Sequence, residues 1–128
     1  MNVKEVVPFL TVASMQRSLA FYVDGLGFEV EQKWRPEGQI RWCMLRLGGA
    51  RLMLQEGQTQ ANNENVMCLM CDDALTLYRE FLARSVEVQE PYVGNRMWVS
   101  SVTDPDGNRL DFESLTDVPE ETRLSEID

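Results

Sequence analysis

The chain has 128 residues, 44% hydrophobic and 26% charged, an ordinary globular composition and long enough to bury a core of its own. No apolar run approaches the ~20 residues that cross a bilayer, and no basic segment followed by an apolar core opens the chain, so neither a membrane span nor a signal peptide is expected. The net charge of −9 repels phosphate and argues against nucleic acid; it suits a neutral or cationic ligand, or serves solubility.

In chain order, Val3 to Val12 is rich in Val, Phe, Leu and Thr and reads as a strand. Ser14 is a candidate N-cap for a helix in which Met15, Leu19, Tyr22 and Val23 recur at helical spacing, ended by Gly25 and Gly27. Phe28 to Trp34 alternates as a second strand, and Arg35-Pro36-Glu37-Gly38 reads as a loop. Ile40 to Leu47 and Ala50 to Gln55 form a hairpin through Gly48-Gly49. Glu56 to Asn65 is polar, lacks periodicity and reads as a linker.

The order then repeats. Val66–Cys71 is a strand, and Asp73 a candidate N-cap. Leu77, Tyr78, Phe81 and Leu82 mark a helix with Arg84 in its last turn. Val86–Glu90 reads as a short strand, Pro91–Arg96 as a loop, and Met97–Thr103 with Arg109–Ser114 as a closing hairpin. Its turn is Asp104-Pro105-Asp106-Gly107-Asn108, where Pro presets φ, Gly permits positive φ, and Asp and Asn bond turn backbone. Leu110 and Phe112 then alternate with Arg109, Asp111 and Glu113, giving one apolar and one charged face. The acidic tail from Leu115 on is expected to fray or lie over the surface.

Cys43, Cys68 and Cys71 are an odd count without a disulfide framework, as expected of a reducing cytoplasm. In a strand, Cys68 and Cys71 point to opposite faces, so they read as core cysteines and not as a redox or zinc pair. With no histidine in the chain, no Ser-His or Cys-His nucleophile pair exists. The paired halves are βαβββ units: a shift of about 58 or 59 residues carries Val7 to Val66, Ser14 to Asp73, Tyr22 to Phe81 and Met53 to Asp111.

Val7-Pro8-Phe9-Leu10-Thr11-Val12-Ala13-Ser14-Met15, with Ser18-Leu19-Ala20-Phe21-Tyr22 and Leu26-Gly27-Phe28, resembles the first module of the vicinal oxygen chelate superfamily. Asp104-Pro105-Asp106-Gly107-Asn108 with Leu110-Asp111-Phe112 resembles the end of its second module. That superfamily includes glyoxalase I, extradiol dioxygenases, and fosfomycin- and bleomycin-resistance proteins. The resemblance implies an α+β fold, with two βαβββ modules whose curved mixed sheets enclose a cavity. It spans a single domain over residues 1–115, with modules at about 3–56 and 65–115 and an acidic tail at 116–128. The superfamily's enzymes hold a divalent metal with His and Glu from four strands. Those positions fall here on Val7, Met53, Val66 and Asp111, and Asp111 alone can ligate. A transition-metal site with an open position needs about three protein ligands, so no metal, cofactor or catalytic residue is assigned.

Strand alternation from those positions turns Phe9, Thr11, Arg51, Gln55, Cys68, Met70, Arg109 and Glu113 inward beside them. A two-residue turn at Gly48-Gly49 pairs Met44 with Met53 and adds Trp42 and Arg46. Leu10, Val12, Leu45, Leu52, Leu54, Leu110 and Phe112 then pack under the helices. The expected ligand site is Phe9, Trp42, Met44, Met53, Val66, Asp111 and Glu113, apolar walls with two acidic anchors. The leading expectation is metal-free binding or sequestration of a small organic molecule, as in the bleomycin-resistance branch, by a cytoplasmic homodimer. A metal-dependent lyase or dioxygenase with carboxylate ligands, and a regulatory module with a filled cavity, are the alternatives.

Overall fold

Ser14 and Asp73 start the two main helices, and each does so by the same device. In the structure, a computed structural model describing residues 2–59 and 65–127, Ser14 Oγ accepts the Arg17 N–H at 3.2 Å. Asp73 accepts the N–H groups of Leu75 and Thr76 at 3.0 and 3.2 Å. Both caps satisfy backbone donors that a helix leaves without an internal partner.

The described chain forms two compact units, Met1–Gln60 and Ala61–Asp128. The first runs β1 (Phe9–Val12), α1 (Met15–Leu19), β2 (Glu29–Trp34), β3 (Trp42–Leu47) and β4 (Ala50–Glu56). α1 continues as a wider π-helical stretch over Ala20–Gly25, where the Leu26 N–H reaches the Phe21 carbonyl five residues back. The second runs β5 (Val66–Met70), α2 (Ala74–Ala83), β6 (Tyr92–Gly94), β7 (Met97–Thr103) and β8 (Arg109–Leu115). Each unit holds one mixed four-stranded sheet, ordered β1-β4-β3-β2 and β5-β8-β7-β6. The first and last strands of each unit run parallel and the others antiparallel. This is the α+β arrangement of two βαβββ modules that the sequence predicts.

One face of each sheet is buried. In the first unit Leu10, Val12, Cys43, Leu45, Leu52 and Leu54 join Met15, Tyr22, Leu26 and Phe28 in the core. In the second, Leu110 and Phe112 lie under α2, and the Phe81 and Phe112 rings meet edge-on at 5.1 Å. A side chain of the last strand fastens each helix start to its sheet. Glu56 Oε2 accepts the Met15 N–H at 2.8 Å, and Ser114 Oγ accepts the Ala74 N–H at 2.8 Å. The Asp104–Asn108 turn is held by its own side chains: Asp104 Oδ1 accepts from the Asp106 and Asn108 N–H groups at 2.9 and 2.8 Å. Gly107 supplies the positive φ, at 91°.

Three expectations change. The first strand covers Phe9–Val12 and not Val3–Val12, because Val3 and Val6 stand in solvent and Pro8 lacks a ladder N–H. No strand forms over Val86–Glu90; Val86 and Val88 are half-buried between exposed neighbours, a burial alternation without a ladder. The strand lies instead in the expected loop, at Tyr92–Gly94, turning through Asn95 and Arg96, both at positive φ. Arg in that conformation is costly, and the Glu120 carboxylate offsets it by accepting both turn N–H groups at 2.8 Å. Of the two expectations for the tail, fraying or lying over the surface, the second holds for the described residues. The Val93 N–H reaches Thr122 and the Glu121 N–H reaches Val93, so residues 121–124 cover the β6 edge. Of the linker expected at Glu56 to Asn65, Glu56 ends β4, and residues 60–64 lie outside those described.

Candidate functional site

Strand pairing decides which side chains stand together on the face of each sheet away from its helix. In the first unit Phe9 pairs with Met53, and Met53 with Met44, making one row across β1, β4 and β3. The next row is Thr11, Gln55, Trp42 and Trp34. Gln55 Nε2 donates to Thr11 Oγ1 at 3.0 Å. Phe9 is 50% and Trp34 60% exposed, so this face offers aromatic and thioether groups to its surroundings.

Arg46 and Arg51 face each other on the same side, a pairing that by itself repels. Two carboxylates resolve it. Arg51 donates to both oxygens of Glu5, at 3.1 and 2.7 Å, and to Glu31 at 2.8 Å, and Glu31 also pairs with Arg46. Glu31 reaches both because it sits where the β2–β3 register slips between Val30 and Gln32. Hydrogen bonds from Arg51 hold Glu5 below the usual carboxylate range, and bonds from Arg46 and then Arg51 do the same for Glu31.

The second unit repeats the geometry with different chemistry. Cys68 pairs with Asp111, and Asp111 with Ser101. Val66 pairs with Arg109, and Met70 with Glu113. Asp111 is 6% exposed, and both its oxygens are engaged. Oδ1 accepts from Ser101 Oγ at 2.7 Å and Arg109 Nε at 3.0 Å, and Oδ2 accepts from Arg109 Nη2 at 3.2 Å. The Arg109 side chain, by contrast, is 48% exposed. Cys68 is exposed, not a core cysteine as expected. Cys68 Sγ and one oxygen each from Asp111 and Glu113 lie within 4.8 Å of one another. The hydrogen bond to Glu113, followed by burial, pushes the Cys68 thiol pKa up. Cys43 does meet the core expectation: it is buried, and burial pushes its thiol up to about 11.

Of the expected site residues, the structure brings Phe9, Met44, Met53 and Trp42 together on one sheet and Val66, Asp111 and Glu113 on the other. Ser101 was not anticipated, because it enters through the β7–β8 register, which no local motif announces. Cys68 beside two carboxylates was legible only through the parallel β5–β8 register.

The donor set does not fit the superfamily's His and Glu metal site. Val7, Met53 and Val66 offer no metal-binding oxygen or nitrogen, and the Asp111 oxygens already accept three hydrogen bonds. Cys68 would have to lose the proton that Glu113 helps it keep.

Comparison with known proteins bears on fold and family. A bleomycin-binding protein complexed with bleomycin superposes with a TM-score of 0.73 at 21% identity, covering 89% of this chain and 100% of its own. TnmS3, an antibiotic binding protein from Streptomyces sp. CB03234, gives 0.69 at 21% identity, covering 91% and 99%. A glyoxalase family protein from Enterococcus faecalis gives 0.73 at 20% identity, covering 89% and 100%. At such identities the likeness is one of fold. No curated protein sequence matches the chain. A sequence profile does, over residues 4–112, and those residues hold the whole first βαβββ unit and the second except the last three positions of β8. The chain belongs to the Glyoxalase/Bleomycin resistance protein/Dioxygenase superfamily.

Proposed function

We propose that this chain binds a small organic molecule without a metal, using the helix-free faces of its sheets, and that it carries out no chemistry on it. The observation that carries the reading is the Phe9–Met53–Met44 row. At the strand position where the superfamily's enzymes place a ligand acid, the first unit has a thioether flanked by an aromatic ring and a second thioether. Apolar, polarizable groups with a few polar neighbours suit an organic body and not an ion. In this reading Phe9, Trp42, Met44 and Met53 form the binding face of the first unit, and Val66, Asp111 and Glu113 that of the second. The bleomycin-binding and antibiotic-binding neighbours support the same reading.

The reading includes a homodimer in the cytoplasm. In the first unit β1 and β2 are sheet edges, and every residue of β2 is exposed, a strand that a second copy is suited to cover. Sedimentation at tens of micromolar is expected to give a dimer.

The deciding experiment joins metal analysis of purified protein to a thermal-shift screen of aromatic compounds. The expected result is no stoichiometric metal, a melting temperature indifferent to chelator, and a concentration-dependent rise with at least one compound. About one tightly held transition metal per chain would favour the Cys68–Asp111–Glu113 group as a ligand set and the enzyme reading with it.

A further inference from the structure

We propose that the charge the second unit offers to a ligand is the guanidinium of Arg109, and that it takes a carboxylate or similar oxyanion of an organic molecule seated beside Val66. This deepens the binding reading above and rests on it.

Asp111 is poorly placed to meet a cation. It is nearly buried, Oδ1 accepts two hydrogen bonds, and Oδ2 accepts a third. A ligand cation would have to displace Arg109 to reach it. Arg109 is in the opposite situation. A guanidinium has five N–H donors, and Asp111 uses one on Nε and one on Nη2. The Nη1 pair and the second Nη2 N–H have no partner among the described residues, and the side chain is 48% exposed. Two hydrogen bonds to one carboxylate fix the plane of the fork, so the remaining donors are held ready for a planar oxyanion.

Arg51, at the matching place in the first unit, is the internal control. Its Nε, Nη1 and Nη2 are all given to Glu5 and Glu31. It gives three of its five N–H groups to two carboxylates of its own chain, where Arg109 gives two to one. Val66, the direct β5 partner of Arg109, is half exposed and supplies an apolar seat next to the charge.

The test uses the full chain and two probes with one aromatic body and opposite charge, 2-naphthoate and 2-naphthylmethylammonium, titrated by calorimetry. Wild type is expected to bind naphthoate more tightly. Arg109→Gln is expected to lower naphthoate affinity about tenfold or more, the scale of a charge-assisted bond. Arg109→Lys, measured beside it because Arg109→Gln leaves Asp111 without its counter-charge, keeps the preference with weaker binding. Arg51→Gln changes nothing. Asp111→Asn keeps the naphthoate preference, since the guanidinium remains. The proposal is overturned if the ammonium probe binds better and Asp111→Asn abolishes it, or if both Arg109 variants bind naphthoate as wild type does. Those outcomes leave the binding reading standing; binding of neither probe overturns this inference, and a full aromatic screen without a hit overturns the binding reading itself.

Discussion

Met53 and Asp111 occupy the same place in the two modules, on the last strand and on the face away from the helix, yet one stands between Phe9 and Met44 and the other between Cys68 and Ser101. The hidden faces behind them are alike: Leu52 and Leu54 in one, Leu110 and Phe112 in the other, all buried. Even the fastening of helix to sheet is kept, through Glu56 and through Ser114. The two modules therefore agree where side chains hold the fold and differ on the face away from the helix. A conserved backbone does not constrain the helix-free face, because alternation gives each strand two independent sets of side chains. The arginines two residues upstream show the consequence. Arg109 turns to Asp111, while Arg51, with a thioether in that place, finds Glu5 and Glu31 instead.

If the hidden faces are equivalent, damage to either should be comparable and large. Phe112→Ala is expected to cost about 3–5 kcal/mol and Leu54→Ala about 2–5 kcal/mol, the cost of a core cavity. Urea unfolding followed by circular dichroism measures both. A loss near zero in one module only would break the equivalence.

The helix-free faces should respond unequally. Asp111→Leu removes the acceptor of Ser101 and the partner of Arg109, and is expected to cost about 2–3 kcal/mol. Met53→Leu, a volume-conserving change at the matching place, should cost less than about 1.5 kcal/mol. Equal losses would mean that the polar cluster contributes no more than packing.

Ser101→Ala divides the Asp111 cluster further. It removes one hydrogen bond and leaves the bidentate contact with Arg109, so about 1 kcal/mol is expected. Thermal melts at neutral pH are sensitive enough to read it, and a loss as large as that of Asp111→Leu would assign the whole contribution to the hydroxyl.

The smallest effect belongs to the solvent-facing network of the first module. Glu5 and Glu31 have lowered pKa values, so their pairing stabilises the fold above the ordinary carboxylate pKa. That stabilisation fades as pH falls through the lowered values. Arg51→Gln should raise both carboxyl pKa values toward the ordinary range, as carboxyl NMR titrations would report. An unchanged Glu5 titration would show that Arg51 does not hold it in solution.

Much of this was legible in the residues. The βαβββ repeat, both N-caps, the Gly48-Gly49 turn, the Asp104–Asn108 turn and the division of β4 and β8 into two faces follow from local chemistry and from a period of two. β6 was not legible. In the hairpin through Asn95-Arg96, Asn95 suits a positive φ but Arg96 does not, and Glu120, 24 positions beyond Arg96 in the chain, supports the turn by accepting both its N–H groups. The fate of the tail was hidden for the same reason, since its partners are the edge groups of that unforeseen strand.

Sequence alone determined the fold class, the two core stripes and the residue types at the four ligand positions, because those depend on side-chain identity and on spacing within one strand or helix. Tertiary structure alone decided that Ser101 closes on Asp111, that Cys68 stands beside Glu113, and that Arg51 is taken up by Glu5 and Glu31, whereas Arg109 meets Asp111 two residues along the same strand. Such partners are chosen by register between strands distant in the chain. A register is a collective property: one residue of slip would reverse every face without changing any local preference.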